Sequence, residues 1–130
     1  MTALRYRVQG TGAPLLLLHG TADGVVPHAM AVDLPGHGES RDVDLGFDDL
    51  ADALVEILDE RSPAQAGLLG YSMGGRLALY CAVKYPLRFS CLIMASASAG
   101  LENEAERPAR RQWEEAWAQK LRTQPLTAVL

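Results

Sequence analysis

The stretch Gly70-Tyr71-Ser72-Met73-Gly74-Gly75 constrains this chain more than any other. Apolar residues run into it (Ala66-Gly67-Leu68-Leu69), and a helical pattern over 73–84 runs out of it. G-x-S-x-G between a strand and a helix is the pattern of a nucleophile elbow. A turn that sharp has little room for side chains, which is a reason for glycines to flank Ser72. It would lift the Ser72 hydroxyl above the sheet edge, at a helix N-terminus. The backbone N–H of Met73 could there help hold a developing oxyanion. The alternative is a Gly/Ser-rich turn in some other α/β fold.

The rest of the chain suits such a unit. Its 130 residues correspond to one domain with a real core. A hydrophobic share of 48% and a charged share of 22% are ordinary for a globular protein. The net charge of −4 gives no reason to expect nucleic acid or an anionic membrane as partner. Cys81 and Cys91 lack metal-ligand spacing and make no disulfide framework; both sit in apolar stretches and are expected to be buried thiols. No signal-peptide core opens the sequence and no apolar run is long enough to span a membrane, so a reducing cytoplasm is the expected location. No metal or organic cofactor is expected.

Residues 4–9 alternate loosely and read as a short strand. Leu15-Leu16-Leu17-Leu18 is a continuous apolar run of buried parallel-strand type, ending at His19-Gly20. Residues 21–28 read as a loop. A second buried strand over 29–32 ends at the turn-rich Asp33-Leu34-Pro35-Gly36-His37-Gly38-Glu39-Ser40. Phe47, Leu50, Ala51, Leu54, Ile57 and Leu58 keep helical spacing, predicting an amphipathic helix over about 47–60. Strands are expected at 66–69 and 90–97. From 102 to 122 the composition turns charged, with Trp113, Trp117 and Leu121 on one helical face. Strands alternating with helices mean an α/β fold with a mainly parallel sheet flanked by helices.

Three motifs in one order carry a resemblance: Leu18-His19-Gly20 after a buried strand, Asp33 to Ser40 after the next, then Gly70 to Gly75. Together they resemble the N-terminal half of an α/β-hydrolase. Gly74-Gly75-Arg76-Leu77-Ala78, Gly100-Leu101-Glu102-Asn103, Arg110, Trp117-Ala118-Gln119-Lys120 and Gln124-Pro125-Leu126-Thr127-Ala128-Val129 resemble one member family. That family is 2-succinyl-6-hydroxy-2,4-cyclohexadiene-1-carboxylate synthase of menaquinone biosynthesis. The resemblance implies a partial hydrolase core over 1–99 and the start of a helical cap over 100–130. It implies a lyase: a proton is removed from 2-succinyl-5-enolpyruvyl-6-hydroxy-3-cyclohexene-1-carboxylate and pyruvate is eliminated, without water. Ser72 would be the catalytic serine, and the N–H groups of Met73 and Thr21 the oxyanion donors. Tyr71, Arg76 and Arg110 would bind the polycarboxylate, arginine being suited to bidentate carboxylate pairing. For both arginines the alternative is a solvated helix face; Arg107 and Arg111 crowd around Arg110.

The chain departs from that family in two places. Between His19-Gly20 and Asp33 stand only residues 21–32, where the family has a helix and most of a strand. And no histidine follows Ser72, although the hydrolase triad runs Ser, acid, His in chain order. His19, His28 and His37 all precede it; His19 and His37 are expected to make loop hydrogen bonds. The segment His19 to Pro27 also resembles the acid-bearing loop of other α/β-hydrolases. Asp23 as acid and His28 as base would need a rearranged chain, and the alternative is a Gly/Pro turn capped by Asp23. A serine without base and acid is a poor nucleophile, so this chain alone is expected to be weak or inactive. Its last strand is expected to leave an exposed edge, open to self-association. The other readings are a generic serine esterase or carbon–carbon bond hydrolase, and a non-catalytic remnant that binds a ligand or partner chain.

Overall fold

The computed structural model describes residues 4–11, 13–19, 29–61 and 65–128. It divides into two compact units, Met1–Ala99 and Gly100–Leu130. Among the described residues of the first, five strands form one sheet: β1 (Arg5–Val8), β2 (Leu15–Leu18), β3 (Met30–Asp33), β4 (Ala66–Tyr71) and β5 (Phe89–Ala95). Helix α1 (Phe47–Arg61) joins β3 to β4, and α2 (Met73–Lys84) joins β4 to β5. The strand order is β1-β3-β2-β4-β5; β1 runs antiparallel to β3, and the other pairs are parallel. This is the expected mainly parallel sheet with flanking helices.

The period of two along each strand decides which side chains meet the helices. Leu16 pairs with Leu68 and Met30, and Leu18 with Val32, so these residues share a face. They form one buried cluster with Leu50, Ala51, Leu54, Ile57 and Leu58 of α1 and with Leu77, Ala78 and Cys81 of α2. Burial pushes the Cys81 thiol up to about 12. The opposite face carries Leu17, Leu69, Gly67, Cys91 and Ile93, by the registers Leu17–Leu69, Leu69–Ile93 and Gly67–Cys91. On that face Ile93 is 48% exposed and Cys91 is exposed. The expectation that both cysteines are buried is therefore half corrected. The apolar setting of Cys91 is real, but its parity turns it away from α1 and α2.

Strand β5 ends at Ala95 instead of running to residue 97, because Ser96 takes φ 50°, which no strand can accommodate. Among the described residues β5 pairs only with β4, which leaves it at the sheet edge.

Helices α1 and α2 are tied at the surface by an ionic cluster. Lys84 Nζ lies 2.9 Å from Asp48 Oδ1 and 2.5 Å from Asp52 Oδ1. The Tyr80 hydroxyl donates to Asp48 at 2.7 Å, and the Tyr85 hydroxyl to Asp52 at 2.5 Å. The hydrogen bond from Tyr80 holds the Asp48 carboxyl below its ordinary range, and the one from Lys84 does the same for Asp52.

In the second unit a helical turn over Glu104–Glu106 precedes α3 (Arg107–Thr123). The helix was expected from about residue 102. It starts later because Asn103 accepts the Ala105 N–H at 3.0 Å and caps the separate turn, after which Pro108 occupies the first turn of α3. Trp113 and Trp117 meet at 5.9 Å between ring centres, with Arg110 over the first ring and Lys120 over the second. None of α3 is buried. Among the described residues no helix is long and apolar enough to cross a membrane.

Both aspartates of the ionic cluster have folded-state pKa values below their unfolded ones, so they stabilise the fold above the ordinary carboxylate pKa. That contribution is lost as pH falls through the lowered values. Thermal midpoints measured from neutral to acid pH are expected to fall less steeply for Asp52→Asn than for the parent. Parallel acid limbs would show that the cluster adds nothing.

Candidate active site

The local geometry around Ser72 follows from three close backbone approaches. A Cβ added at Gly70 would stand 2.3 Å from the Gly74 carbonyl oxygen. One at Gly74 would stand 2.2 Å from the Leu18 oxygen and 2.5 Å from that of His19, and one at Gly75 would stand 2.4 Å from the Ala97 methyl. Real Cβ atoms do not come that near. The first turn of α2 thus rests directly on the ends of β4 and β2, and only glycine permits it. Ser72 links strand to helix at φ 53° and ψ −114°, in the left-handed half of the map that a side chain disfavours. Its N–H donates to the Ala95 carbonyl at 2.8 Å, and its carbonyl accepts from Gly75 and Arg76 at 3.1 and 3.3 Å. Its side chain caps nothing. Met73 is the first residue of α2, and the opening N–H groups of a helix have no partner within it.

Tyr71, the last residue of β4, is 43% exposed. Arg76, one turn into α2, lines a groove of about 300 Å³ with Phe47, Leu79, Tyr80, Val83, Ser98 and Ala99. Apart from the arginine, that groove is largely apolar. Arg110 lies in the second unit, where its Nε donates to Glu114 at 2.7 Å and its guanidinium stands 4.7 Å from the Trp113 ring centre. Thr21, Asp23 and His28 fall outside the described residues.

His19 and His37 sit edge to face, 5.1 Å apart, and each makes a loop hydrogen bond. His19 Nε2 accepts the Leu34 N–H at 3.2 Å; His37 Nδ1 donates to the Pro35 carbonyl at 3.0 Å. Asp33 is nearly buried and accepts from the Glu39 N–H and from Arg7. Gly38, at φ 49°, packs against its carboxyl so closely that a Cβ would fall 2.6 Å away. Buried Ser40 accepts the Arg5 N–H at 2.9 Å. The Asp33–Ser40 loop is thus a structural clasp between β1, β2 and β3. A polar cleft of about 750 Å³ opens beside it, lined by Arg5, Arg7, His19, Asp33, His37 and Glu39 among others. Ser72 is not among the residues that line this larger cleft. Among the described residues no group of three His, Cys, Asp or Glu could hold a metal ion.

Sequence reasoning did not find Ser96 or Ala97 beside the turn. The strand pattern read straight through both, and their place depends on a long-range register.

Residues 10–129 match the model of the alpha/beta hydrolase family. The chain belongs to that family. The 2-succinyl-6-hydroxy-2,4-cyclohexadiene-1-carboxylate synthase of Escherichia coli O1:K1 / APEC is 39% identical to this hydrolase-family chain over 99 residues, covering 75% of the chain and 39% of the relative. The solved structure of MenH from S. aureus is 34% identical, with a TM-score of 0.74 over 95% of this chain and 53% of that one. A hydrolase from Pseudomonas aeruginosa PA01 is 26% identical, with a TM-score of 0.75 over 96% and 51%. This family member therefore spans about two-fifths of the curated relative and about half of the solved structures.

Within a helix Ala is favoured over Gly by up to about 1 kcal/mol. Gly74→Ala is nevertheless expected to lower unfolding stability by about 1–3 kcal/mol, the cost of overpacking, as read from urea midpoints. Gly46→Ser, where a Cβ meets nothing within 4 Å, is the control and should cost nothing. Equal midpoints for Gly74→Ala and the parent would refute the close-approach account.

Proposed function

We propose that this chain carries the serine-bearing half of a lyase that takes a proton from 2-succinyl-5-enolpyruvyl-6-hydroxy-3-cyclohexene-1-carboxylate and expels pyruvate. The observation that carries the reading is Ser72 at φ 53° between β4 and α2, in a chain 39% identical to an enzyme named for the product of that reaction. Strain of this kind in a non-glycine residue persists where surrounding packing enforces it, and it concentrates at functional sites. In this proposal Ser72 Oγ, once a base has activated it, takes the proton from ring C2; the freed pair forms C2=C3, the C3=C4 pair shifts to C4=C5, the C5–O bond to the enolpyruvyl group breaks, and the departing enolate takes up a proton to become pyruvate. The Met73 N–H, with that of Thr21, holds the oxyanion that develops. Tyr71, Arg76 and Arg110 bind the substrate's carboxylates. The base and acid are assigned to no residue of this sequence, since every histidine precedes Ser72. The 130-residue chain alone is accordingly proposed to turn over slowly if at all. Residues 1–99 are proposed as the core half and 100–130 as the start of the cap.

A second reading is a serine esterase: the groove beside Arg76 is walled mostly by Phe47, Leu79, Val83 and Ala99, although Ser72 does not line it. Binding separates the two readings without needing turnover. In calorimetric titrations Arg76→Ala is expected to weaken binding of the tricarboxylate substrate by about tenfold or more, the worth of one charge-assisted hydrogen bond, and to leave binding of a neutral ester unchanged. Equal loss on both ligands would sink the carboxylate role of Arg76. Binding of the ester alone would favour the esterase.

A further inference from the structure

Ser72 is one of two non-glycine residues at positive φ among the described residues; the other is Ser96, at φ 50°. The two are neighbours in space as well as in kind. Strands β4 and β5 run parallel and in register, Tyr71 opposite Ala95. Each strained serine is therefore the first residue past the end of its strand, at the same edge of the sheet. The residues on either side of Ser96 both touch the Ser72 turn. Ala95, before it, takes the Ser72 N–H on its carbonyl at 2.8 Å. Ala97, after it, sets its methyl where a Cβ on Gly75 would fall, 2.4 Å away. One contact holds the strand side of the turn, and the other bears on the first turn of α2. The Ala95 carbonyl makes the last rung of the β4–β5 ladder, and past it the chain bends out of β5. The positive φ of Ser96 is that bend. That conformation is strained in a residue with a side chain.

We propose that Ser96 is a positioning residue for Ser72: its left-handed conformation ends β5 just past the Ala95 rung and turns the chain so that the Ala97 methyl bears on Gly75, at the helix side of the strained turn. Ser72 is then held from two directions, by the glycine contacts with β2 and β4 beneath it and by the end of β5 beside it. The inference rests on the reading of Ser72 as the reacting serine only for its consequence in catalysis. The geometric part stands independently.

The experiment compares Ser96→Val and Ser96→Gly with the parent by residue-resolved amide hydrogen exchange. A β-branched residue strongly disfavours positive φ, whereas glycine adopts it freely. Ser96→Val is expected to speed exchange of the Ser72 amide on the order of tenfold, as its bond to Ala95 opens locally, while amides of Leu54 and Leu68 keep their protection. Ser96→Gly is expected to keep the Ser72 amide protected and to raise the thermal midpoint. If Ser96→Val unfolds, Ser96→Thr, which is β-branched but keeps the hydroxyl, replaces it and should show the same selective effect. Unchanged Ser72 exchange, or exchange that rises equally throughout the core, overturns the proposal. Exchange needs no turnover, so its outcome stands or falls without the catalytic reading of Ser72. That reading is tested separately: pyruvate release from the parent, however slow, that survives Ser72→Ala unchanged overturns it and leaves the positioning role intact.

Discussion

The contact on which the first unit depends is the seating of Gly74 against the carbonyl ends of Leu18 and His19. It joins three elements at one point: the end of β2, the end of β4 and the start of α2. Helix α2 can lie over the sheet with Leu77, Ala78 and Cys81 buried only because its first turn comes this close. The same approach leaves Ser72 no relaxed conformation between strand and helix. Packing over an extended core therefore sustains a local strain that no single residue would adopt by itself. Core and candidate site are one mechanical system, which is why the glycines matter more for what they let through than for their own flexibility.

The sheet has two unlike faces. One is closed by α1 and α2 around a continuous cluster from Leu4 to Phe89. The other shows Cys91 and Ile93 exposed. The ionic cluster of Asp48, Asp52, Lys84, Tyr80 and Tyr85 holds the two helices side by side on the closed face, and so fixes α2 from its far end while the glycines fix it at Ser72. Tyr71, Ser72 and Met73 stand where the parallel strand β4 ends and α2 begins. Carboxyl ends of parallel strands, with helix N-termini beside them, are where α/β sheets place their ligands.

Much of this was legible in the sequence. The G-x-S-x-G stretch announced strand, turn and helix in one run, and the apolar spacing from Phe47 to Leu58 marked α1 to within a residue of its end. The quartet Leu15–Leu18 could be read as a buried strand because central parallel strands are apolar on both faces. What could not be read depended on partners distant in sequence. Period two says that Leu92 and Cys91 point opposite ways, but not which side the helices cover; hence Cys91 was expected inside. The apolar run through residue 97 hid the bend at Ser96, because serine gives no local signal for positive φ as glycine would. Pro108 could be read as lying near the first turn of α3 or at a break, and it lies in the first turn; the separate turn capped by Asn103 was not legible. Of the candidate site, Ser72 and its glycines were visible as a motif, whereas the contributions of Ala95 and Ala97 arise from register between β4 and β5.

The central claim is that Ser72 is held under strain by the packing around it. The most direct measurement is the unfolding free energy of Ser72→Gly beside that of Ser72→Ala, by urea denaturation. Glycine removes the penalty at φ 53° and loses no capping bond, since the Ser72 side chain makes none. Against it stands the larger entropy of the unfolded chain. Ser72→Gly is expected to gain about 1–2 kcal/mol over the parent, the strain of one such residue less that entropy, while Ser72→Ala gains nothing. Equal stability of the glycine and alanine variants would mean that Ser72 is not strained, and the account built on it would be wrong.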